Sequence, residues 1–324
     1  MNLCLLIWGF NSWSQELTLD EIRVRDPYIV AYEPTQTYYL YAQKQNRLDA
    51  IEDEVGVEVY RSKDLKTWVG PKSVFQAPEG FWGRQMVWAP EVHEYKGSYY
   101  LFVTFTSYDT LDTPGQSTAP QWKRGTQILR ASHPEGPFEL ISKDSQTPPE
   151  WMCLDGSLWV EEETPYMVFC HEWAQIEDGT IDVIELSDDL AKAVSDSQVL
   201  FSATSIPWVR SLADTGYKHH GYVTDGNFIY ETKNGKLIMI WSSFGPEGYA
   251  LIQAVSDSGK IHGPWRQIEK PLFKAHGGHG MIFKTFEGQL MLSFHQPNSG
   301  KLERAQLFEI KDKGDHIALK DKIK

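Results

Sequence analysis

Hydrophobic and polar positions alternate along most of this chain in short runs that turn residues interrupt. The clearest runs begin near Asp26, Trp88, Asp155, Asp225 and His279, and each predicts two antiparallel strands joined by a tight turn. Every one of these turns contains Gly or Pro, and a third strand with a similar closing phrase follows in most units. Successive units begin 54 to 70 residues apart, which indicates an internal repeat.

A sheet of three or four strands cannot bury both of its faces alone, so five such sheets in series predict a five-bladed β-propeller. A β-sandwich or jelly roll also contains many short strands, but neither fold requires five matched hairpins. We therefore predict an all-β protein in which a single five-bladed β-propeller domain spans residues 15–324, with the sandwich as the alternative.

Composition narrows the class of partner. The 324 residues include 31 basic and 44 acidic side chains, for a formal net charge of −13. Such a surface repels a phosphate backbone, so no nucleic-acid partner is expected. The 12 Trp, 15 Tyr and 15 Phe suit packed strands, and they also suit surfaces that stack on sugar rings.

The first 14 residues predict a signal peptide. An apolar run over 3–10 is followed by Ser12 and Ser14, a small-x-small spacing that places the cleavage before Gln15 and predicts a secreted or periplasmic protein. The alternative is a buried first strand of the mature fold. The segment before the apolar run contains no Lys or Arg, which argues against a signal peptide. No later segment approaches about 18 consecutive apolar residues, so we expect no membrane span.

The three cysteines do not form a disulfide framework. If Cys4 leaves with the leader, Cys153 and Cys170 flank a predicted hairpin and could face each other across it. Two buried free thiols are the favoured interpretation, and a disulfide is the alternative.

The predicted propeller brings the five unit openings together. The first strand of every blade lines the central axis, so Asp26, Asp155 and Asp225 are expected at one mouth of the channel. Three carboxylates in one pocket are costly unless they bind a ligand or share protons. Two carboxyls on opposite sides of a sugar perform glycoside hydrolysis, and a third beside the acid raises the pKa of that acid.

The same openings carry a family resemblance. The sequences RDP (25–27), WAPE (88–91), LDGS (154–157), TDG (224–226) and GGHG (277–280) resemble, in order and spacing, the five blade motifs of glycoside hydrolase family 43. That family comprises five-bladed propellers that act on arabinans, xylans and related galactans. The resemblance covers nearly the whole mature chain.

The resemblance implies roles for individual residues. Asp26 matches the general base that activates water, and Asp155 matches the residue that orients the acid and raises its pKa. The family's acid is normally a Glu followed by Gly-Pro, whereas Asp225 is followed by Gly-Asn here, so Asp225 is the candidate acid with a shorter reach. Glu172 is its rival, since its strand returns to the same mouth; the alternative for Glu172 is a residue of the pocket wall.

Four further residues are predicted to contact substrate. Trp88, Trp173 and Trp241 are predicted at blade openings or in the returning loops, where an aromatic face could stack on a sugar, although burial in the core is an equal alternative for each. Glu91 resembles a family residue that shapes the pocket.

No cofactor is predicted to be required. His279 matches the position at which related enzymes often place a His beside a calcium ion on the propeller axis. One His cannot make a calcium site, because calcium takes about 6–8 oxygen ligands, so waters would supply most of them.

We therefore expect a secreted inverting glycoside hydrolase that acts on an oligo- or polysaccharide, with α-L-arabinofuranosidase and β-xylosidase as the leading activities. Long loops after the second strands of the first two blades (43–55 and 107–125) favour a closed pocket and removal of terminal sugars. An exo-galactanase or galactosidase of the same fold is the alternative enzyme. A carbohydrate-binding propeller with impaired catalysis is the alternative from another class, and a purely structural propeller is least favoured. The sequence leaves the oligomeric state open.

Overall fold

A computed structural model describes residues 16–47, 54–112 and 115–322, and over these residues 21 strands form five antiparallel sheets. The sheets succeed one another along the chain as the blades of a propeller, which confirms the predicted fold and excludes the sandwich. The first blade has five strands in the order β1-β5-β4-β3-β2, and each of the other four has four strands in chain order.

The strands of the first two blades are β1 (Glu16–Leu17), β2 (Tyr28–Tyr32), β3 (Thr37–Gln43), β4 (Gly56–Ser62) and β5 (Trp68–Gln76), then β6 (Met86–Tyr95), β7 (Ser98–Thr110), β8 (Trp122–Ala131) and β9 (Glu139–Leu140). The third blade contains β10 (Cys153–Glu161), β11 (Thr164–His171), β12 (Thr180–Glu185) and β13 (Gln198–Ser202). The fourth contains β14 (Asp225–Glu231), β15 (Leu237–Gly245), β16 (Gly248–Ser256) and β17 (Trp265–Phe273). The fifth contains β18 (Gly278–Lys284), β19 (Leu290–Gln296), β20 (Arg304–Asp312) and β21 (Ile317–Lys322).

Helical structure is short and confined to connections. One α-helix, α1, covers Trp173–Ile176, and 3-10 helices cover Glu33–Thr35, Lys44–Asn46, Ala203–Ser205, Leu212–Thr215 and Gly300–Leu302. Among the described residues, no helix is long and apolar enough to cross a membrane.

The tight turns behave as their residues require. Lys96 and Gly97 join β6 to β7 with φ angles of 48° and 73°, the pair of positive values that a two-residue hairpin needs. The β7–β8 hairpin is longer than expected, because the ladder extends to Thr110 opposite Trp122. Much of the predicted loop 107–125 is therefore strand.

Aromatic side chains fill the space between blades, as the composition suggested. Trp68, Tyr41 and Phe102 are among the largest side chains that are fully buried. Cys153 and Cys170 are buried free thiols, which confirms the favoured prediction for this pair. The predicted leader and Cys4 lie outside the described residues.

The ring closes through contacts between separate sheets, since the first blade contains only N-terminal strands and the fifth only C-terminal strands. One of them is a backbone hydrogen bond from the Val24 N–H to the Glu303 carbonyl at 3.4 Å. At the end of this closing seam that lies far from the blade openings, the Tyr38 and Phe286 rings pack with centroids 4.3 Å apart. At the opposite end, Arg25 Nη1 donates to Glu303 Oε1 at 2.8 Å. The contact of Arg25 with Glu303 belongs to the site described next.

Candidate active site

Four of the five blade openings meet around one nitrogen atom. His279 Nδ1 lies 3.1 Å from Asp26 Oδ1, 3.4 Å from Asp225 Oδ1 and 3.7 Å from Asp155 Oδ2. All four side chains are buried or nearly so, with Asp225 the most accessible at 18% exposed. The convergence predicted from the unit openings is therefore present in the fold.

A repeated backbone kink turns these residues inward. Positive φ values recur at the opening of all five blades, at Asp26 (54°), Ala89 (45°), Asp155 (55°), Gly226 (57°) and His279 (53°). In the second to fifth blades, the strand register shifts directly after this point, as a β-bulge does. Such a bulge redirects one side chain out of the pleat, here toward the axis.

The Gly of the Asp-Gly motif in the fourth blade has a packing role. A Cβ added to Gly226 would lie 2.6 Å from His279 Cγ, and the φ of 57° already disfavours a side chain. The Gly226 N–H also donates to Asp155 Oδ2 at 2.9 Å. This position therefore fits Gly alone. Its backbone packs against His279 and binds Asp155, which helps to fix both side chains.

Asp26 is surrounded by positive and donor groups. Burial would raise its pKa, but the charges of His279 and Arg25 and the hydrogen bond and charge of His295 outweigh burial and lower it. Gln43 Nε2 donates to Asp26 Oδ2 at 3.3 Å. Asp26 is therefore ionised at neutral pH.

Asp155 and Asp225 form a carboxyl pair that differs in exposure. Burial raises the pKa of Asp155 well above its usual range, and the Asp225 charge raises it further. Burial would also raise the pKa of Asp225, but the hydrogen bond with Asp155 and the interactions with His279 and Arg25 lower it overall. Two carboxylates whose oxygens lie within 4.8 Å of each other oppose each other's ionisation, so this pair favours sharing one proton, with Asp155 the member that protonates more readily.

His279 supplies the compensating charge. Burial would lower its pKa, but the carboxylates of Asp26, Asp155 and Asp225 outweigh burial and raise it to about 10. The imidazolium therefore attracts the carboxylates of Asp26 and Asp225. Asp26 Oδ1 and Asp225 Oδ1 can be at most 6.5 Å apart, the sum of their distances of 3.1 and 3.4 Å to His279 Nδ1. The carboxyl groups of inverting glycosidases are typically about 6.5–9.5 Å apart, so these two atoms lie at or below the lower limit of that range.

Glu172 occupies the pocket wall beside a buried cation. Its Oε2 atom accepts a very short hydrogen bond from Arg124 Nη1, and the Arg124 guanidinium lies over the Trp88 ring at 4.1 Å from its centroid. Burial raises the pKa of Glu172, while Arg124 lowers it in part. Both Glu172 and Trp88 line the cavity, but the carboxylate of Glu172 is held by Arg124.

The mouth opens into a cavity of about 620 Å³ that residues of all five blades line. Trp173, at the start of α1, is among them, at a position where it can contact a substrate. No described residue of the long loops of the first two blades lines the cavity. These blades contribute only Arg25 and Asp26, before β2, and Trp88 of β6. The walls come instead from the connection before β14 and the turn after β19.

Two predicted substrate contacts are wrong. Trp241 is completely buried, packs against Phe201 at 5.4 Å and donates from Nε1 to Gln267 Oε1 at 3.0 Å. It lies in mid-strand, because β15 continues to Gly245. Glu91 does not line the cavity: it follows the bulge of β6, is only 4% exposed and contacts His93 Nε2 at 2.9 Å.

Several residues of the site were absent from the sequence prediction. The Tyr249 O–H donates to Asp225 Oδ2 at 2.5 Å, and the Asp26 N–H donates to His295 Nδ1 at 3.3 Å. Arg25 Nη2 lies 3.9 Å from Asp225 Oδ2, and its Nη1 is anchored by Glu303. Arg25 could have been found from its place in the RDP motif, but Tyr249 and His295 lie on second and third strands without a motif.

One cluster among the described residues has donors placed for a metal ion. A donor atom from each of Asp155, Asp225 and His279 lies within 4.8 Å of the others. The two carboxylates are ligands of the type that calcium takes, and His279 is the residue that the resemblance implied.

Comparison with known proteins agrees with this geometry. Residues 20–314 match the profile of Glycosyl hydrolases family 43. The crystal structure of an endo-arabinase from Bacteroides thetaiotaomicron VPI-5482 is 41% identical, with a TM-score of 0.81, over 93% of this chain and 99% of that one. The α-L-arabinofuranosidase structure from Lactobacillus brevis is 16% identical over 91% of this chain and 93% of that one, with a TM-score of 0.71, and shows the shared fold.

A curated relative matches a shorter part. The extracellular endo-alpha-(1->5)-L-arabinanase 1 of Bacillus subtilis (strain 168) is 33% identical over 124 residues, which span 33% of this chain and 37% of that protein. With the family profile covering most of the chain, the chain belongs to glycosyl hydrolases family 43 and is an inverting glycoside hydrolase.

Proposed function

We propose that this enzyme hydrolyses α-L-arabinosyl bonds in an arabinan-type polysaccharide, with Asp26 as the base and Asp225 as the acid. The observation that carries the chemistry is an ionised carboxylate and a proton-sharing carboxyl pair facing one cavity. The likeness to an endo-arabinase over nearly the whole chain supports the sugar and the polymer.

Asp26 has the properties that a general base needs. It is ionised at neutral pH because His279 and Arg25 lower its pKa, and it lines the cavity in which a water can be held. Asp26 would take a proton from that water as the oxygen attacks the anomeric carbon. The hydrogen bond from Gln43 fixes the carboxylate orientation.

Asp225 is the better acid of the two candidates. Both Asp225 and Asp155 line the cavity, but Asp225 is 18% exposed and Asp155 only 3%, so Asp225 offers the leaving group the more accessible carboxyl. The pair would hold its proton on Asp155 in the free enzyme and transfer it to Asp225 once the glycosidic oxygen is bound beside that carboxyl. Glu172 lines the cavity too, and burial raises its pKa overall, but its Oε2 atom is engaged by Arg124 Nη1 and is therefore less available to a glycosidic oxygen.

Cleavage within the chain is the leading mode. The exo expectation depended on loops of the first two blades, and their described residues do not wall the cavity. An exo-acting arabinofuranosidase remains the second candidate, since residues from all five blades enclose the site.

One product experiment separates these activities. Linear α-1,5-arabinan, arabinoxylan and arabinogalactan should be incubated with the enzyme and the products followed by chromatography and NMR. We expect oligosaccharides from arabinan as the first products, with the anomeric configuration inverted. Arabinose alone would support the exo mode, and xylose or galactose would redirect the substrate. Binding without any turnover would support the carbohydrate-binding alternative.

Export of the protein is also proposed. The leader-like residues 1–14 and the extracellular relative support it. Mass spectrometry of the mature protein from its natural host should detect a new N-terminus at Gln15. A full-length chain recovered from the cell interior would contradict export.

A calcium ion at the mouth would be held by His279 and the facing carboxylates of Asp155 and Asp225, with waters as the other ligands. It would add positive charge beside the acidic cluster and displace the His279 proton. We expect calcium to stabilise the native protein by about 2.7 kcal/mol at a hundred times its Kd, and His279→Ala to abolish this gain. An equal rise in Tm for both proteins would place calcium elsewhere.

A further inference from the structure

One exposed aromatic ring stands in the wall of the catalytic cavity. Among the described residues, Tyr108 and Tyr217 are the aromatic side chains that are more than half exposed, at 63% and 56%. Tyr217 lines the cavity and Tyr108 does not. An exposed ring at a cavity wall leaves a large apolar face free to cover the apolar face of a ligand.

The segment that carries Tyr217 is held firmly at both ends. The Leu212 N–H donates to the Gly221 carbonyl at 2.8 Å, and the Tyr217 N–H donates to the Leu212 carbonyl at 3.1 Å. Gly221 lies directly against Trp173, since an added Cβ would meet Trp173 Cε3 at 2.3 Å. The exposed ring therefore projects from a fixed support, so little ordering would oppose binding.

A series of ring contacts connects Tyr217 with the catalytic carboxyls. The Tyr217 ring packs on Phe244 with centroids 5.8 Å apart, and Phe244 packs on Tyr249 at 5.2 Å. The Tyr249 O–H then donates to Asp225 Oδ2 at 2.5 Å. Tyr217 thus stands on the side of the cavity that belongs to Asp225, the proposed acid.

The two walls differ in polarity. Leu212, Phe244 and Val223 make the wall around Tyr217 largely apolar. The turn after β19 and the segment before β2 contribute Asn298 and Arg25, which carry polar groups. A sugar ring has one face of C–H groups and an edge of hydroxyls, so a cleft with one apolar and one polar wall suits it.

We propose that Tyr217 forms a sugar-binding subsite on the leaving-group side, where its ring stacks on a sugar of the arabinan chain. This inference rests on the proposed function, because the acid identifies the side from which the leaving group departs. The subsite binds a sugar that lies beyond the first leaving-group sugar, so it contributes only when the substrate is longer than a disaccharide and reaches Tyr217.

The test compares substrates of increasing length. Native enzyme, Tyr217→Ala, Tyr217→Phe and the matched control Tyr108→Ala should be assayed on α-1,5-arabino-oligosaccharides from the disaccharide to the octasaccharide. We expect Tyr217→Ala to lower kcat/KM about three- to tenfold on the longest substrates, which is the effect of losing one aromatic contact. The value of kcat/KM on the disaccharide should be unchanged. Tyr217→Phe and Tyr108→Ala should match the native enzyme at every length.

A uniform loss on all lengths would overturn the subsite, and so would an equal loss in Tyr108→Ala or an unchanged long-substrate rate in Tyr217→Ala. If the native enzyme does not cleave arabino-oligosaccharides, the proposed function fails instead. Calorimetry with Asp26→Asn and arabino-, xylo- and galacto-oligosaccharides then decides the subsite. Weaker binding of any one of these sugars after adding Tyr217→Ala supports it, and unchanged or undetectable binding of all three overturns it.

Discussion

The carboxyl that donates the proton can be identified by replacing Asp225 with Asn. Asn keeps the size of the side chain and an oxygen that can accept the Tyr249 hydrogen bond of 2.5 Å, so the fold should be retained. The variant lacks the transferable proton on the more accessible carboxyl of the pair, since Asp155 is only 3% exposed and Asp225 is 18% exposed. General acid catalysis contributes roughly 10²–10⁴-fold, so kcat should fall by that factor, or about 2.7–5.4 kcal/mol of barrier.

The loss should depend on the leaving group. With aryl arabino-oligosides whose phenols become progressively more acidic, the need for protonation declines, so Asp225→Asn should approach the native rate on the most acidic phenol. The assay is kcat/KM against phenol acidity for both enzymes, with circular dichroism to confirm folding. A loss of equal size on every phenol would refute Asp225 as the acid.

Glu172→Gln is the matched comparison. Glu172 is paired with buried Arg124, so its neutralisation leaves an unpaired buried charge and should cost about 3–5 kcal/mol of unfolding free energy. Its effect on kcat should be the same for all phenols. If Glu172→Gln instead shows the leaving-group dependence, Glu172 is the acid and the Asp225 assignment is wrong.

Three further predictions follow from the same contacts. Asp26→Asn should lower kcat roughly 10²–10⁴-fold while circular dichroism still reports native sheets, and its melting temperature should fall because His279 and Arg25 lose a buried carboxylate partner; retained activity would refute the base assignment. Tyr249→Phe removes a hydrogen bond to the Asp225 carboxylate, and a bond of this type is worth about 1.5–3 kcal/mol. We therefore expect kcat to fall at least about tenfold when Asp225 is present and hardly at all in the Asp225→Asn variant. Equal losses in both backgrounds would show that Tyr249 does not act through Asp225. Trp241→Ala should cost about 3–5 kcal/mol of unfolding free energy in a urea titration, because the ring is fully buried, and a smaller loss with weaker sugar binding would contradict its place in the core.

The fold was predictable because its signals are local. Each signal spans only a few residues: a turn residue, an alternation of polar and apolar positions, or an Asp-Pro or Asp-Gly opening. Five repetitions of the same hairpin pattern then determine the architecture. The convergence of Asp26, Asp155, Asp225 and His279 then follows from the geometry of a propeller without knowledge of any contact.

The errors arose where strand length or a bulge decides the outcome. Trp241 was placed near the mouth because the end of β15 could not be located from the sequence, and four further residues of strand bury it. Glu91 lies beyond the bulge at Ala89, which changes the face on which later side chains lie. Contacts between distant strands, such as Tyr249 with Asp225 and Arg124 with Glu172, leave no local signal at all.

The closing seam passes through the catalytic site. The Arg25 side chain that joins the first blade to the fifth through Glu303 also lies 3.6 Å from Asp26 Oδ1 and 3.9 Å from Asp225 Oδ2. In the described part of the chain every sheet belongs to one blade, and the first and fifth blades are not consecutive in sequence, so the ring can separate at this seam without breaking a sheet or stretching a connection. Partial opening there would remove the Arg25 charge from between Asp26 and Asp225 while the blades stay folded. We therefore expect heat to abolish activity at a lower temperature than that at which the sheets melt.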